Sequence, residues 1–252
     1  MGSKGNLIGI GSLLVGAIIW EIAARLFFKP IILPPLSLCL VKAVEMIETG
    51  DLQQHVAASM GRILSGFVIG SALGIFLGLL MGTVKIVHRF LDPIINFLRF
   101  IPPIAWVSPV LIWFGIGETG KILLIIYTVT FMVLINTLAG VFSLHKNKIR
   151  AALCFGATGV QRFRLVTVPG TVGYMLVGMQ IAMSNAFVTI VTAEMLAAQR
   201  GLGYVILVSK NFGATDTIFV GMATLGALGL VSDLLFGFFI NKYGVRYLPV
   251  RK

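Results

Sequence analysis

Long apolar runs separated by short polar segments make up most of this 252-residue chain. A helix needs about 20 mostly apolar residues to cross roughly 30 Å of hydrocarbon. The pattern predicts six such helices, and therefore an all-α integral membrane protein with a single transmembrane domain over residues 1–252. The predicted spans are Leu7–Phe28, Ile63–Val84, Ile104–Ile116, Ile122–Phe142, Val172–Thr192 and Ile218–Ile240.

The third predicted span is the shortest, and Pro102, Pro103 and Pro109 interrupt it. Because proline lacks a backbone N–H and its ring clashes with the preceding turn, a helix bends or ends there. We therefore predict that this span begins earlier, near Leu91, and bends.

Three polar segments connect the spans. Residues 29–55 contain three prolines and then an amphipathic stretch, Val41–Glu48, that could lie along the membrane interface. Residues 197–216 are predicted to hold a short helix over Tyr204–Lys210. Residues 143–167 combine Lys and Arg with a helical apolar pattern and are predicted to form one or two short helices.

Composition supports the membrane assignment, since 58% of the residues are hydrophobic, 12% are charged and the mean hydropathy is +0.99. The 20 Lys and Arg against 9 Asp and Glu give a net charge of +11. In so apolar a chain this charge indicates loops at a membrane surface rather than nucleic-acid binding. Alternate sides of the membrane receive 13 and 7 of these cations, so both termini are predicted to be cytoplasmic.

The second span carries a glycine at every fourth position. This spacing places all the glycines on one helix face, and a face without side chains lets another helix approach closely in lipid. We interpret it as a helix-packing face, with a contact that moves as the alternative. The glycines are Gly66, Gly70, Gly74, Gly78 and Gly82.

Few charged residues lie in or near the spans. Glu21 and Arg25 are four residues apart and can pair on one helix face. Arg62 and Glu194 lie near span ends, where they either reach the outer interface as anchors or serve a function. Asp233 lies deeper and is predicted to need a protein partner.

A polar stripe on the fifth span consists of Ser184, Asn185, Thr189 and Thr192. Polar atoms that face lipid are costly, so the stripe is predicted to face another helix or a translocation path. The two alternatives are equally compatible with the spacing, and the stripe is our candidate for the lining of a path.

Residues 115–122 have the G-x-x-x-x-G-K spacing of a phosphate-binding loop, but Ile122 replaces the Ser or Thr that would bind Mg²⁺. No buried strand precedes them, so we interpret the segment as a short connection between helices. The three histidines lie in or beside loops without a catalytic motif, and the two cysteines are too far apart in sequence for a zinc motif. These observations favour a transport subunit over an intramembrane enzyme.

The segment from Arg150 to Pro169 reads R-A-A, three residues, G, nine residues, V-T-V-P. It resembles the EAA loop of ABC importer permeases, E-A-A, three residues, G, nine residues, I-x-L-P, with an arginine in place of the glutamate. Its small residues leave one helix face shallow enough to fit a partner's groove. In that family the loop forms the coupling helix that docks on a cytoplasmic ATPase, and a solvated basic loop is the alternative. The resemblance implies coupling roles for Arg150, Ala151, Ala152, Gly156, Val166, Val168 and Pro169.

Further segments look like the permeases of nitrate, sulfonate, taurine and bicarbonate importers: Arg99–Trp106, Trp113–Glu118, Ala193–Met195 and Gly201–Gly203. The resemblance implies a type I importer (MetI-like) permease fold with six spans, in a multi-pass protein of a bacterial or archaeal plasma membrane. It also implies a homodimer of permeases surrounded by lipid, two cytoplasmic ABC ATPase subunits and an extracytoplasmic substrate-binding protein. The chain is then expected to bind no cofactor and to catalyse no reaction, because ATP and Mg²⁺ bind to the partner ATPase.

The predicted function is therefore that of the permease subunit of an ATP-driven importer, with a small anion such as sulfonate, taurine, nitrate or bicarbonate as the solute that the family favours. A nucleotide-independent secondary transporter or channel is the alternative, and an intramembrane enzyme ranks third. A polar stripe without a set of charged ligands does not specify the solute.

Overall fold

The computed structural model describes residues 3–240, and every regular element in that range is helical. The α-helices are α1 (Ser3–Phe27), α2 (Leu36–Glu48), α3 (Asp51–Thr83), α4 (Lys85–Arg99), α5 (Val107–Phe114), α6 (Glu118–Phe142), α7 (Lys146–Cys154), α8 (Gly159–Arg162), α9 (Val168–Ala197), α10 (Leu202–Phe212) and α11 (Thr215–Phe239). A 3₁₀-helix, Pro103–Trp106, precedes α5, and a π-helical turn, Phe163–Thr167, joins α8 to α9.

Four helical segments in residues 3–240 are long and apolar enough to cross a membrane, namely α3, α6, Gly159–Leu196 and α11. A fifth candidate is the pair formed by α4 and Pro103–Phe114, which are bent by 90° relative to each other. The first predicted span, Leu7–Phe28, lies on α1, so all six predicted spans fall on helices.

The bend predicted for the third span is confirmed, but its start near Leu91 is wrong, because α4 begins at Lys85. Val84 has an extended backbone and separates α4 from α3. The first turns of α4 carry charged residues on one face, so this part of the helix does not form the apolar run from which the boundary was predicted.

The connecting segments contain the helices that the sequence predicted. The amphipathic stretch lies in α2, and Tyr204–Lys210 lies in α10. The polar segment 143–167 forms α7, α8 and the π-helical turn. The basic residues at positions 242–252, which contributed to the prediction of cytoplasmic termini, lie outside the described residues.

The chain divides into two compact units. The first combines the residues up to Ser59 with Gln199–Gly226, and the second combines Met60–Ala198 with the residues from Ala227 onward.

In the first unit, α3 provides acceptors for the start of α10. The N–H of Gly201 donates to His55 Nδ1 at 3.1 Å, and the N–H of Leu202 donates to Ser59 Oγ at 2.9 Å. These bonds satisfy backbone donors that the first turn of a helix leaves unpaired. The predicted Glu21–Arg25 pair is also confirmed, with 2.7 Å between Oε1 and Nε.

In the second unit, the glycine face of α3 lies directly against α6. A Cβ atom added to any of the five glycines would come within 2.6–2.8 Å of an α6 atom, closer than real Cβ contacts allow. The α6 residues that meet this face repeat every four positions, so the two helices contact each other in matching register over five turns. They are Ile125, Val129, Val133, Thr137 and Val141.

An adjacent face of α6 packs against α9. A Cβ atom on Gly140 would meet Tyr174 at 2.7 Å, and one on Gly178 would meet Asn136 at 2.6 Å. Since α3 and α9 both approach α6 closely, α6 is the central helix of this unit.

Candidate functional site

The helix α7 carries the arginine and the two alanines of the predicted coupling segment, and it ends in a tight turn. The N–H of Gly156 donates to the carbonyl of Leu153 at 2.9 Å, and the N–H of Ala157 donates to that of Ala152 at 3.0 Å. This is the Schellman pattern, which needs a left-handed residue after the helix. Gly156 provides it, with a φ of +73°.

Gly156 therefore lies beyond the end of α7 and not on its face. The sequence-based interpretation, in which this glycine made the helix face shallow, is wrong for this residue. The backbone conformation explains why position 156 is a glycine, because any residue with a side chain is strained in the left-handed region.

A second short helix follows immediately. The hydroxyl of Thr158 accepts from the N–H of Gln161 at 3.3 Å, and the amide oxygen of Gln161 accepts from the N–H of Thr158 at 2.8 Å. This capping box starts α8 and fixes the angle at which the chain leaves the turn.

Pro169 does not interrupt the helical turns, since α8, the π-helical turn and α9 follow one another without a gap. The π-helical turn directly before α9 provides the reason. A π-helical turn changes the pattern of backbone bonds at the position where an α-helix would need the N–H that proline lacks.

The coupling segment, residues 146–169, exposes large apolar side chains together with cations. Phe155 is 91% exposed, and Leu153, Val160 and Leu165 are also exposed. Exposed apolar groups with a charged surround are typical of a protein-binding surface. Of the residues predicted for coupling, Arg150, Ala151 and Gly156 are exposed, whereas Ala152, Val166, Val168 and Pro169 are half-buried.

The polar stripe of α9 divides between two environments. Thr189 is buried, and its hydroxyl lies 3.0 Å from that of Thr128 on α6. Ser184 is exposed, and Asn185 and Thr192 are half-buried, with their side chains donating to carbonyls one turn earlier in α9. Thr189 thus makes the contact between α9 and α6. Ser184, Asn185 and Thr192 remain the candidates for lining a translocation path.

Four charged side chains meet where α3, α6 and α9 come together. One terminal nitrogen of Arg62 donates to Glu194 Oε1 at 2.6 Å. Its other terminal nitrogen donates to Glu118 Oε1 at 2.9 Å, and its Nε donates to the second oxygen of the same carboxylate. Lys121 Nζ lies 3.0 Å from Glu118 Oε1. We call these four residues the charge cluster.

The charge cluster corrects one sequence-based interpretation. Of the two alternatives for Arg62 and Glu194, the anchor at the outer interface is wrong, because both residues are buried and bind each other. The sequence did not predict the pair, because Arg62 and Glu194 are 132 positions apart and no local spacing reveals it.

Two other expectations are confirmed. Asp233 has a protein partner, since Gln180 Nε2 donates to its Oδ1 at 2.6 Å. The apparent phosphate loop is a short connection between α5 and α6, and Gly115 turns the chain there with a φ of +70°. Within residues 3–240, no three His, Cys, Asp or Glu side chains form a group that could hold a metal ion.

The sequence of the chain matches a family described as binding-protein-dependent transport system inner membrane component, over residues 70–245. The chain therefore belongs to this family, and it is the membrane-spanning permease of an ABC importer. The alternative of a nucleotide-independent transporter or channel is not favoured.

Relatives place it in the subfamily that the sequence resembled. The chain is 36% identical to the taurine transport system permease protein TauC of Escherichia coli K12, over 92% of this chain and 86% of that protein. It is 31% identical to the nitrate import permease protein NrtB of Leptolyngbya laminosa, over 75% of this chain and 67% of that protein.

Solved structures confirm the fold class. A chain of the inward-facing MetNI methionine ABC transporter superposes with a TM-score of 0.68 at 17% identity, covering 76% of this chain and 95% of that chain. A chain of an amino acid ABC transporter superposes with a TM-score of 0.64 at 16% identity, covering 81% and 97%. The predicted type I, MetI-like fold is thus confirmed.

Proposed function

We propose that the coupling segment docks on a cytoplasmic ABC ATPase, which binds ATP and Mg²⁺ and drives the permease between outward-open and inward-open states. In this proposal the permease catalyses no reaction itself. It acts as a homodimer in the inner membrane, with both termini cytoplasmic, two ATPase subunits and an extracytoplasmic binding protein. For hydrolysis to bias the two states, the ATPase must bind the coupling segment differently in each.

The observation that carries this proposal is the exposure of Phe155 directly after α7. A phenyl ring that is 91% exposed beside cations is costly in water and contributes binding energy when a partner covers it. The two capped turns hold α7 and α8 in one geometry, which lowers the entropy that docking would cost.

The experiment compares Phe155→Glu with the conservative Phe155→Leu, each purified from its native membrane in mild detergent. We expect an ABC ATPase to co-purify with the unmodified protein and with Phe155→Leu, and to be lost from Phe155→Glu. Both variants should elute in gel filtration like the unmodified protein, because the ring makes little contact within the chain. Retention of the ATPase by a folded Phe155→Glu variant would contradict docking at this surface. Gly156→Arg is less suitable as a test of docking, because any side chain at this left-handed position strains the backbone and confounds lost docking with a distorted turn.

We infer further that the solute is small and carries an oxyanion group, because the relatives named above carry taurine, a sulfonate, and nitrate in their names. Proteoliposomes that contain the permease and its ATPase, with the binding protein added outside, should take up labelled taurine or nitrate only when ATP is enclosed inside the vesicles. Uptake that does not depend on ATP would favour the nucleotide-independent alternative.

For the path, we propose that Ser184, Asn185 and Thr192 line it, with Thr189 holding α9 against α6. Replacing Ser184 by leucine should lower the uptake rate while leaving ATPase retention unchanged. An unchanged rate would place this face of α9 away from the path.

A further inference from the structure

The charge cluster has two carboxylates that differ sharply in environment. Glu194 is completely buried, whereas the side chain of Glu118 is 59% exposed. The two cations are buried, with Arg62 only 6% exposed. Buried charges need partners, so the cluster places two cations and two carboxylates together.

Each carboxylate occupies its own edge of the Arg62 guanidinium. Glu194 holds one terminal nitrogen from within the core. Glu118 takes the edge formed by Nε and the other terminal nitrogen, with one oxygen on each. Two parallel N–H bonds to two oxygens form the geometry in which arginine recognises carboxylates, sulfonates and other planar or tripodal oxyanions.

The two carboxylates also differ in the free-energy cost of moving away from Arg62. Withdrawing Glu194 would leave a charge uncompensated in the core, which is strongly unfavourable. The side chain of Glu118 is 59% exposed, so its carboxylate can move into solvent when another anion takes its place on Arg62. It is the first residue of α6, three positions after Gly115, whose left-handed φ of +70° permits conformations that other residues avoid.

The position of the cluster suits a site for an incoming solute. Glu118 begins α6 and Glu194 lies in the last turn of α9, whereas the coupling segment joins the other ends of these two helices. The cluster is therefore at the end of α6 and α9 opposite the surface proposed to bind the ATPase.

We propose that Arg62 binds the oxyanion of the transported solute, and that Glu118 occupies this binding edge when the solute is absent. The inference rests on the proposed function, in which the solute carries an oxyanion group. The incoming group replaces the Glu118 carboxylate on Arg62 and brings an equal charge, so the cluster keeps its balance of two cations and two anions. Lys121, 3.0 Å from the displaced carboxylate oxygen, offers a second contact.

The test uses Glu118→Gln, which keeps the shape of the side chain and removes the competing charge. Ethanesulfonate and nitrate are titrated calorimetrically into the purified permease in detergent, with neutral ethanesulfonamide as the uncharged analogue. We expect both anions to bind Glu118→Gln about tenfold more tightly than the unmodified protein, because a charged competitor for the guanidinium is gone. Ethanesulfonamide should show no such gain.

The chain offers a matched control in Glu45→Gln. Glu45 is also 59% exposed and also pairs with a cation, Lys42, at 2.9 Å, but it lies in α2, which belongs to the first compact unit and not to the cluster's unit. Its replacement should leave both affinities unchanged. Adding Arg62→Lys to Glu118→Gln keeps the charge but removes the two-pronged geometry, and it should abolish the gain.

A purely structural cluster would give a different result. Glu118→Gln would then lower the melting temperature and leave anion affinity equal to that of Glu45→Gln, which overturns the proposal. Glu118→Ala repeats the test if the glutamine variant does not fold, since removing an exposed side chain leaves no core cavity. ATPase co-purification from the same preparations separates the two ideas: a gain in affinity without an ATPase contradicts only the coupling, and an ATPase without a gain contradicts only the anion site.

Discussion

The α3–α6 contact and the coupling segment both use small residues, but they place them in opposite environments. On α3, the space left by the glycines is filled by α6, whose atoms lie 2.6–2.8 Å from the position that each Cβ would occupy. At Gly156 nothing lies within 4 Å of that point, and large apolar neighbours stand exposed. The first surface is completed within the chain, and the second is available to another protein. Small residues therefore mark close approach in one case and a left-handed turn in the other.

The charge cluster, like the α3–α6 contact, is completed within the chain. Its disruption should lower the unfolding free energy more than any other change considered below. Replacing Arg62 by alanine leaves Glu118 and Glu194 facing each other without their common cation. We expect a loss of about 4 kcal/mol in unfolding free energy, the usual consequence of removing one member of a buried ion pair. Thermal unfolding in detergent measures it. Arg25→Ala, which breaks the exposed pair with Glu21, should cause a much smaller change. Equal effects would show that the cluster is effectively solvated.

Gly74→Leu breaks the glycine face itself. The new Cβ would lie 2.7 Å from the carbonyl oxygen of Thr130, which belongs to the α6 backbone and cannot move aside as a side chain can. The helices must separate, at a cost of about 3 kcal/mol. Gly61→Leu on the same helix is the control, because nothing lies within 4 Å of its Cβ position. A stable Gly74→Leu protein would mean that α3 and α6 are not tightly packed.

Gly156→Ala probes the exposed side of the comparison through its backbone alone. Space is open around this residue, so only the left-handed conformation opposes a side chain, at about 1 kcal/mol. Amide hydrogen exchange over residues 146–158 should become faster. Gly159→Ala, also in open space but without a left-handed φ, should leave the exchange unchanged. The same rate in both variants would rule out a conformational role for Gly156.

The smallest effect is expected at Thr137, where the sign reverses. Its hydroxyl is buried against Gly78 and has no hydrogen-bond partner among residues 3–240. Thr137→Val keeps the shape and removes an unsatisfied polar atom, so stability should rise by up to about 1 kcal/mol. A lower melting temperature would indicate that the hydroxyl is hydrogen-bonded in the membrane, and Thr128→Val, which removes the contact with Thr189, provides the destabilised reference.

Local spacing predicted the features that depend on residues close together in the chain. Apolar runs gave the spans, a repeat of four gave one glycine face, and the Glu21–Arg25 spacing gave an ion pair, because a helix brings such residues together whatever surrounds it. The coupling segment was proposed differently, from its resemblance to a family pattern over 20 consecutive positions.

Contacts between distant segments required the packed helices. Arg62 meets partners 56 and 132 positions away, and Thr189 meets Thr128 across 61 positions. The left-handed turn at Gly156 likewise became visible only in three dimensions. Periodicity predicts which face of a helix a residue occupies. The helix that packs against that face is decided by how all the helices pack together. This packing brings the charge cluster together where α3, α6 and α9 meet.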